Sequence, residues 1–167
     1  MAILELGHTG LHVYDLDTMR DFYERVLELT VTDVDPVQGT VFLSSRPERE
    51  HHEMVLAKGR TAPLDTTLLN QISWRVDSVD TLLRYFALLT EYGARIDRVL
   101  DHGSAIGIYF LDPEGNKLEV YWQTGDQMPQ PFGKEINPQG SAQDVLAEHE
   151  RLVADGGRVD SQPEISA

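Results

Sequence analysis

Glu119 is the residue hardest to account for as packing. It stands between Leu118 and Val120 in the apolar run KLEVYW, and a carboxylate buried there needs a partner or a metal, because an unpaired buried charge is expensive. His8 and Gln71 are two further polar residues, and they occupy the same position in two copies of one repeated unit. A third group of interest is HHEMVLAKG at 51–59, where His51, His52 and Glu53 stand in succession ahead of an apolar run. Imidazole can carry a proton or bind a metal near neutral pH. Cysteine is absent, which excludes disulfides, thiolate metal sites and cysteine nucleophiles. His12, two residues beyond His8 on the same strand face, fits a polar residue at a rim and is given no role.

The elements that must position these groups are written twice. Residues 8–31, HTGLHVYDLDTMRDFYERVLELTV, align without a gap with residues 71–94, QISWRVDSVDTLLRYFALLTEYGA. Leu11 falls on Trp74, Val13 on Val76, Leu16 on Val79, Asp17 on Asp80, Met19 on Leu82, and Phe22-Tyr23 on Tyr85-Phe86. Each copy opens with the period-two alternation of a half-buried strand. His8, Gly10 and His12 share one face in the first copy, and Gln71, Ser73 and Arg75 share it in the second. A turn follows, with Asp17 or Asp80 available to cap a helix. Apolar stripes at helical spacing come next, at Met19, Phe22, Tyr23, Val26 and Leu27 and at Leu82, Leu83, Tyr85, Phe86, Leu88 and Leu89.

β-prone runs complete each copy: TVFLSS and EMVLA in the first, ARIDRVL, AIGIYFLD and KLEVYW in the second. DPEGN at 112–116 has the Pro and Gly-Asn chemistry of a hairpin turn. The pattern predicts an α+β fold, with two tandem βαβββ modules at about 4–58 and 67–124 forming a cupped mixed sheet around a central site. These modules make up a domain over 1–124. Residues 125–167 are expected to be a C-terminal tail with a Pro- and Gly-rich stretch and a short amphipathic helix in SAQDVLAEHERLVADGG. Val145, Leu146, Leu152 and Val153 are its candidate buried residues, and the last ten or so residues are expected to fray.

The chain's 167 residues suit one compact domain, and 41% hydrophobic with 25% charged residues is an ordinary globular mix. A formal charge of −14 without a Lys/Arg cluster argues against nucleic acid and anionic membranes as partners. No apolar run approaches the roughly 20 residues that span a bilayer. The start, MAILELGHTG, lacks the basic and apolar regions of a secretory signal. A cytoplasmic protein is the expectation.

H-T-x-L-x-V, then D-L-x-x-x-x-x-F-Y, then D-P-x-G-N-x-x-E-V-Y about 100 residues later, resembles the vicinal oxygen chelate superfamily of glyoxalases, bleomycin-resistance proteins and extradiol dioxygenases. The resemblance covers roughly residues 4–124 and is nearest to single-domain extradiol dioxygenases acting on biphenyl-2,3-diol or catechol. It implies a divalent metal, Fe2+ first with Mn2+, Ni2+ and Zn2+ as alternatives, held by His8, Gln71 and Glu119. Imidazole, amide oxygen and carboxylate are a sound donor set for such ions. Gln71 departs from the dioxygenase pattern, which has a second histidine there, although some glyoxalases employ a glutamine.

The same resemblance implies His52 as acid/base, Tyr109 as the hydrogen-bonding partner of a substrate oxygen, and His102 as a pocket residue just upstream. A second register pairs EMVL at 53–56 with EVYW at 119–122 and makes Glu53 a fourth ligand mirroring Glu119. Successive strand residues point to opposite faces, so His52 and Glu53 cannot both serve without a bulge, and His52 is favoured. The implied activity is ring cleavage of a catechol-like aromatic molecule with O2. The rivals are a glyoxalase-type isomerase or lyase, and a metal-free drug-sequestering protein in which Gln71 marks loss of the metal. A homodimer is the family-level expectation.

Overall fold

A computed structural model describes residues 3–156. The expected order βαβββ appears twice, in an α+β architecture. The first copy is β1 (Thr9–Val13), α1 (Leu16–Arg25), β2 (Thr30–Asp35), β3 (Thr40–Ser44) and β4 (Met54–Lys58). The second is β5 (Ile72–Val76), α2 (Val79–Tyr92), β6 (Arg95–Asp101), β7 (Ala105–Leu111) and β8 (Lys117–Gln123). A two-residue β9 (Lys134–Glu135) and α3 (Ala142–Asp155) follow. No helix among the described residues is long and apolar enough to cross a membrane. The final residues, expected to fray, lie outside those described.

The chain divides into two compact units. One runs to Leu68 and takes in Asp112–Asn116; the other comprises Leu69–Leu111 and continues from Lys117. In the first, the sheet order is β1-β4-β3-β2, with β1 parallel to β4 and antiparallel pairing elsewhere. In the second it is β5-β8-β7-β6-β9, with β5 parallel to β8. A parallel pair needs a crossover, and the helix of each module belongs to that connection. The strand bordering the helix connection also shifts register at the same place in both units, between Val31 and Asp33 and between Ile96 and Arg98.

Helix starts differ by two residues from the sequence expectation. Asp15 and Ser78 are the N-caps, each accepting from the backbone N–H three residues on, while Asp17 and Asp80 sit inside the first turn. Both pairs are acidic or polar residues before an apolar stripe, so sequence spacing alone does not separate a capping side chain from one that faces the helix dipole. Gly93 ends α2 in the left-handed conformation, which costs glycine little.

All five stripe residues of α1 are buried, and they cover Val13, Val41, Leu43, Met54 and Leu56 on one face of the first sheet's strands. In the second unit Ile106, Ile108, Phe110, Leu118 and Val120 alternate inward, and Leu82 and Leu89 of α2 are buried. The other stripe residues of α2 are only half-buried. α3 buries Val145 and Leu152 as expected, but its third buried side chain is His149 rather than Leu146 or Val153.

The DPEGN turn is held by its own carboxylates. Asp112 accepts from the backbone N–H groups of Glu114 and Asn116, and buried Glu114 accepts from the N–H groups of Tyr14 and Asp15 at 2.7 and 2.9 Å. Arg60 faces Glu114 at 3.4 Å with both side chains buried. The turn thereby secures the β1–α1 connection of the first unit.

Candidate functional site

Alternation along β5, β8 and β7 puts a polar row on the face opposite α2. Ser73 is the register partner of Glu119, and Glu119 that of Tyr109; Tyr109 in turn pairs with Arg98 on β6. Gln71 lies two residues before Ser73, hence on the same face. Glu119 is only 6% exposed. The Ser73 hydroxyl donates to its Oε2, and so does the Gln71 amide at 3.1 Å; the same amide nitrogen donates to Ser73 Oγ at 2.9 Å. A carboxylate only accepts, so Gln71 must present its NH2 to it and keeps its amide oxygen for another partner.

All the donors to Glu119 are neutral groups, and no Lys, Arg or His pairs with it among the described residues. A buried carboxylate without a countercharge is costly. A cation beside it would supply that countercharge, although no group of three or more His, Asp or Glu side chains able to hold a metal ion is found among the described residues. Room for the carboxylate comes from Gly107, whose missing Cβ would lie 2.3 Å from Glu119 Oε1. An isolated glycine in the apolar run AIGIYFL was the one sequence signal of this close approach.

Tyr109 links Glu119 to His102. Its hydroxyl oxygen lies 2.9 Å from His102 Nε2. Burial, then the hydrogen bond and charge of Glu119, push the phenol well above its ordinary value, with Arg98 offsetting part of the rise. His102 Nδ1 lies 3.0 Å from the backbone carbonyl of Phe132. The second unit thus brings together Gln71, Glu119, Tyr109 and His102, and adds Ser73 and Gly107.

The first unit brings together His8 and His52, whose rings are 4.5 Å apart between centroids. Phe42 packs against His52 at 5.1 Å, and His51 Nδ1 lies 2.9 Å from His52 Nδ1. Burial, then the neighbouring His8 and His51 charges, hold the His52 imidazole below its ordinary value.

Glu53 is occupied elsewhere. It accepts from the Ser45 N–H and hydroxyl and forms an ion pair with Arg46 at 2.7 Å. These bonds hold its carboxyl below the usual range, although burial alone would raise it. The register corrects the pairing of EMVL with EVYW. Gly10 partners Val55 in the first unit as Ser73 partners Glu119 in the second, so the counterpart of Glu119 is Val55. The stretch leading from β1 to β4 is two residues longer than the pairing of EMVL with EVYW implies, and Glu53 falls at the position of Lys117.

Residues 5–120 match the Glyoxalase/Bleomycin resistance protein/Dioxygenase superfamily, and the chain belongs to it. It is 27% identical over 123 residues to biphenyl-2,3-diol 1,2-dioxygenase 2 of Rhodococcus globerulus, an alignment of 71% of this chain and 63% of that protein. It is 27% identical over 136 residues to 1,2-dihydroxynaphthalene dioxygenase of Sphingobium xenophagum, across 78% of this chain and 43% of that protein. The chain therefore spans about half the length of these curated relatives. A variant of the fosfomycin resistance protein FosX from Listeria monocytogenes, solved with Mn(II) and 1S,2S-dihydroxypropylphosphonic acid, shares the fold at a TM-score of 0.60 and 17% identity. That match covers 75% of this chain and 93% of FosX.

Proposed function

We propose that this protein is a metal-dependent, extradiol-type dioxygenase that opens the ring of a catechol-like aromatic molecule with O2. The observation that carries the reading is the buried Glu119 carboxylate, served only by neutral donors and joined through Tyr109 to His102. The names of the two curated relatives point to aromatic diols as the substrate class. His8, Gln71 and Glu119 are the metal ligands in this reading, with Fe2+ the preferred ion. Ferrous iron in such a set supplies Lewis-acid and redox chemistry.

The chain's own residues move the protons. His52, whose ring lies beside those of His8 and His51, takes a proton from a substrate hydroxyl and returns it when the ring opens. Tyr109 and His102 hydrogen-bond and orient a substrate oxygen. The glyoxalase reading needs Glu53 as a fourth ligand, and the engagement of Glu53 by Arg46 and Ser45 weighs against it.

The test combines metal content of anaerobically purified protein, by elemental mass spectrometry, with oxygen uptake on biphenyl-2,3-diol. Stoichiometric iron and diol-dependent uptake, both lost in His8→Ala and Glu119→Ala, are expected. Nickel or zinc with no oxygen uptake would replace this reading by the isomerase one. Wild-type protein without metal that gains it in Gln71→His would make the chain a binding protein.

A further inference from the structure

The family match ends at residue 120, yet the segment beyond it surrounds His102. This residue opens the turn between β6 and β7, and every carbonyl of that turn is taken by a donor from beyond β8: Thr124, just past the strand, and Gln130 of the tail. The His102 carbonyl accepts from Gln130 Nε2 at 2.9 Å, that of Gly103 from Thr124 Oγ1 at 2.7 Å, and that of Ser104 from the Thr124 N–H at 3.1 Å. Gly103 has a φ of +74°, and a Cβ there would lie 2.6 Å from the Met128 side chain.

The ring itself is held by the tail's backbone. A carbonyl oxygen only accepts, so the Phe132 carbonyl at 3.0 Å requires a proton on His102 Nδ1. Nε2 is then the nitrogen that faces Tyr109, 2.9 Å away. Phe132 is fixed in turn: its side chain is 5% exposed, and its N–H donates to Gln130 Oε1 at 3.0 Å. One Gln130 amide therefore grips the His102 carbonyl with its nitrogen and Phe132 with its oxygen.

His149 of α3 ties the two ends of this arrangement together. Its Nδ1 lies 2.7 Å from Asp101, the residue before His102, and its Nε2 3.0 Å from Asp126, where the tail begins. Asp101 is fully buried, and its other carboxylate oxygen accepts from the Gly103 N–H.

We infer that the C-terminal segment, through Gln130 and the Phe132 carbonyl, is a positioning element that fixes the His102 ring with its proton on Nδ1 and Nε2 turned toward Tyr109. The inference rests on the proposed function only for the use of that pair in catalysis. A tail that merely covered the edge of β6 would protect the sheet from further pairing but would leave the tautomer free. The tautomer separates the two roles, because a second-shell bond of this kind decides which ring nitrogen is protonated.

The experiment is long-range 1H–15N correlation NMR on the full-length chain labelled with 15N-histidine, with the His102 signals assigned from His102→Gln. In wild type the neutral ring is expected as the single Nδ1–H form. In Gln130→Ala that single form is expected to give way to a mixture of both tautomers. Asp155→Asn removes an exposed ion pair between α3 and Lys134 and is expected to leave the tautomer unchanged. An Nε2–H ring in wild type, an unaltered tautomer in Gln130→Ala, or a mixture in Asp155→Asn as well would each overturn the inference. The signals need neither substrate nor turnover. A chain that cleaves no diol yet gives them loses the proposed function and keeps the positioning role; a chain that cleaves diols with an Nε2–H His102 does the reverse.

Discussion

The two units carry the same row of four strand positions with opposite chemistry. In the first, the row reads Gly10, Val55, Phe42, Asp33; in the second, it reads Ser73, Glu119, Tyr109, Arg98. Both rows cross four equivalent strands, and both end just past a register shift, on β2 in the first unit and on β6 in the second. Where one holds a buried carboxylate with a phenol beside it, the other holds a valine with a phenylalanine. The scaffold is thus indifferent to what the row carries, and the paired histidines of the first unit, His8 and His52, sit outside it, ahead of β1 and β4. Duplication kept the backbone and let the two copies diverge, one with a buried carboxylate and phenol at the centre of the row, the other with a valine and phenylalanine there.

The largest expected effect comes from making the second row resemble the first. Glu119→Val should lower metal content and diol-dependent oxygen uptake by more than the roughly 10–100-fold typical of losing an outer-shell partner. Its thermal stability without metal should be unchanged or higher, since a buried carboxylate lacking a countercharge is removed. Elemental analysis and a melting curve read the two effects separately, and a lower melting temperature together with retained metal would break the comparison.

Next is the tail that only the second unit carries. Burial lowers the His149 imidazole, but Asp126 and Asp101 outweigh it and hold the group above its ordinary value. His149→Leu strands the buried Asp101 and should cost about 3 kcal/mol or more in denaturant unfolding, the range for breaking one partner out of a buried pair. A folded-state value above the unfolded one means the contribution is complete below about pH 6.5 and is lost as pH rises through the folded value. Wild type should therefore lose stability relative to His149→Leu as pH rises from about 6.5 through the raised folded-state value, and a gap constant with pH would show that Asp101 and Asp126 do not hold a charged ring.

Gly107→Ala is a smaller perturbation confined to the polar row. Its Cβ would overlap the Glu119 carboxylate, so a loss of about 1–3 kcal/mol from overpacking is expected together with weaker metal binding. The same measurements on Glu119→Val/Gly107→Ala should show the stability cost relieved. Smallest is Glu53→Gln, which weakens a partly exposed pair with Arg46. About 1 kcal/mol or less and unaltered metal content are expected, whereas metal loss equal to that of Glu119→Val would restore Glu53 as a ligand.

Much of this was legible in the chain. The ungapped match of residues 8–31 with 71–94 carried the duplication, because the apolar positions of strand and helix recur wherever the same face must be buried. The period-two pattern then placed Gln71 and Ser73 on one face, and the isolation of Glu119 in an apolar run marked it as a group needing a partner. Spacing did not carry the length of the loops between paired strands. It therefore put Glu53 opposite Glu119's position, where the ladder puts Val55. Nor did it carry His149, which looks from the sequence like a polar residue on an amphipathic helix until Asp101 and Asp126 are found on either side of its ring.

The sequence by itself determined the fold class, the repeat and the face on which the chemistry lies, since all three follow from local periodicity. Only the tertiary structure decided which groups on that face touch and which nitrogen of His102 faces Tyr109. Register depends on loop geometry, and the tautomer depends on a backbone carbonyl at Phe132, an atom that every residue type supplies and no side-chain pattern announces.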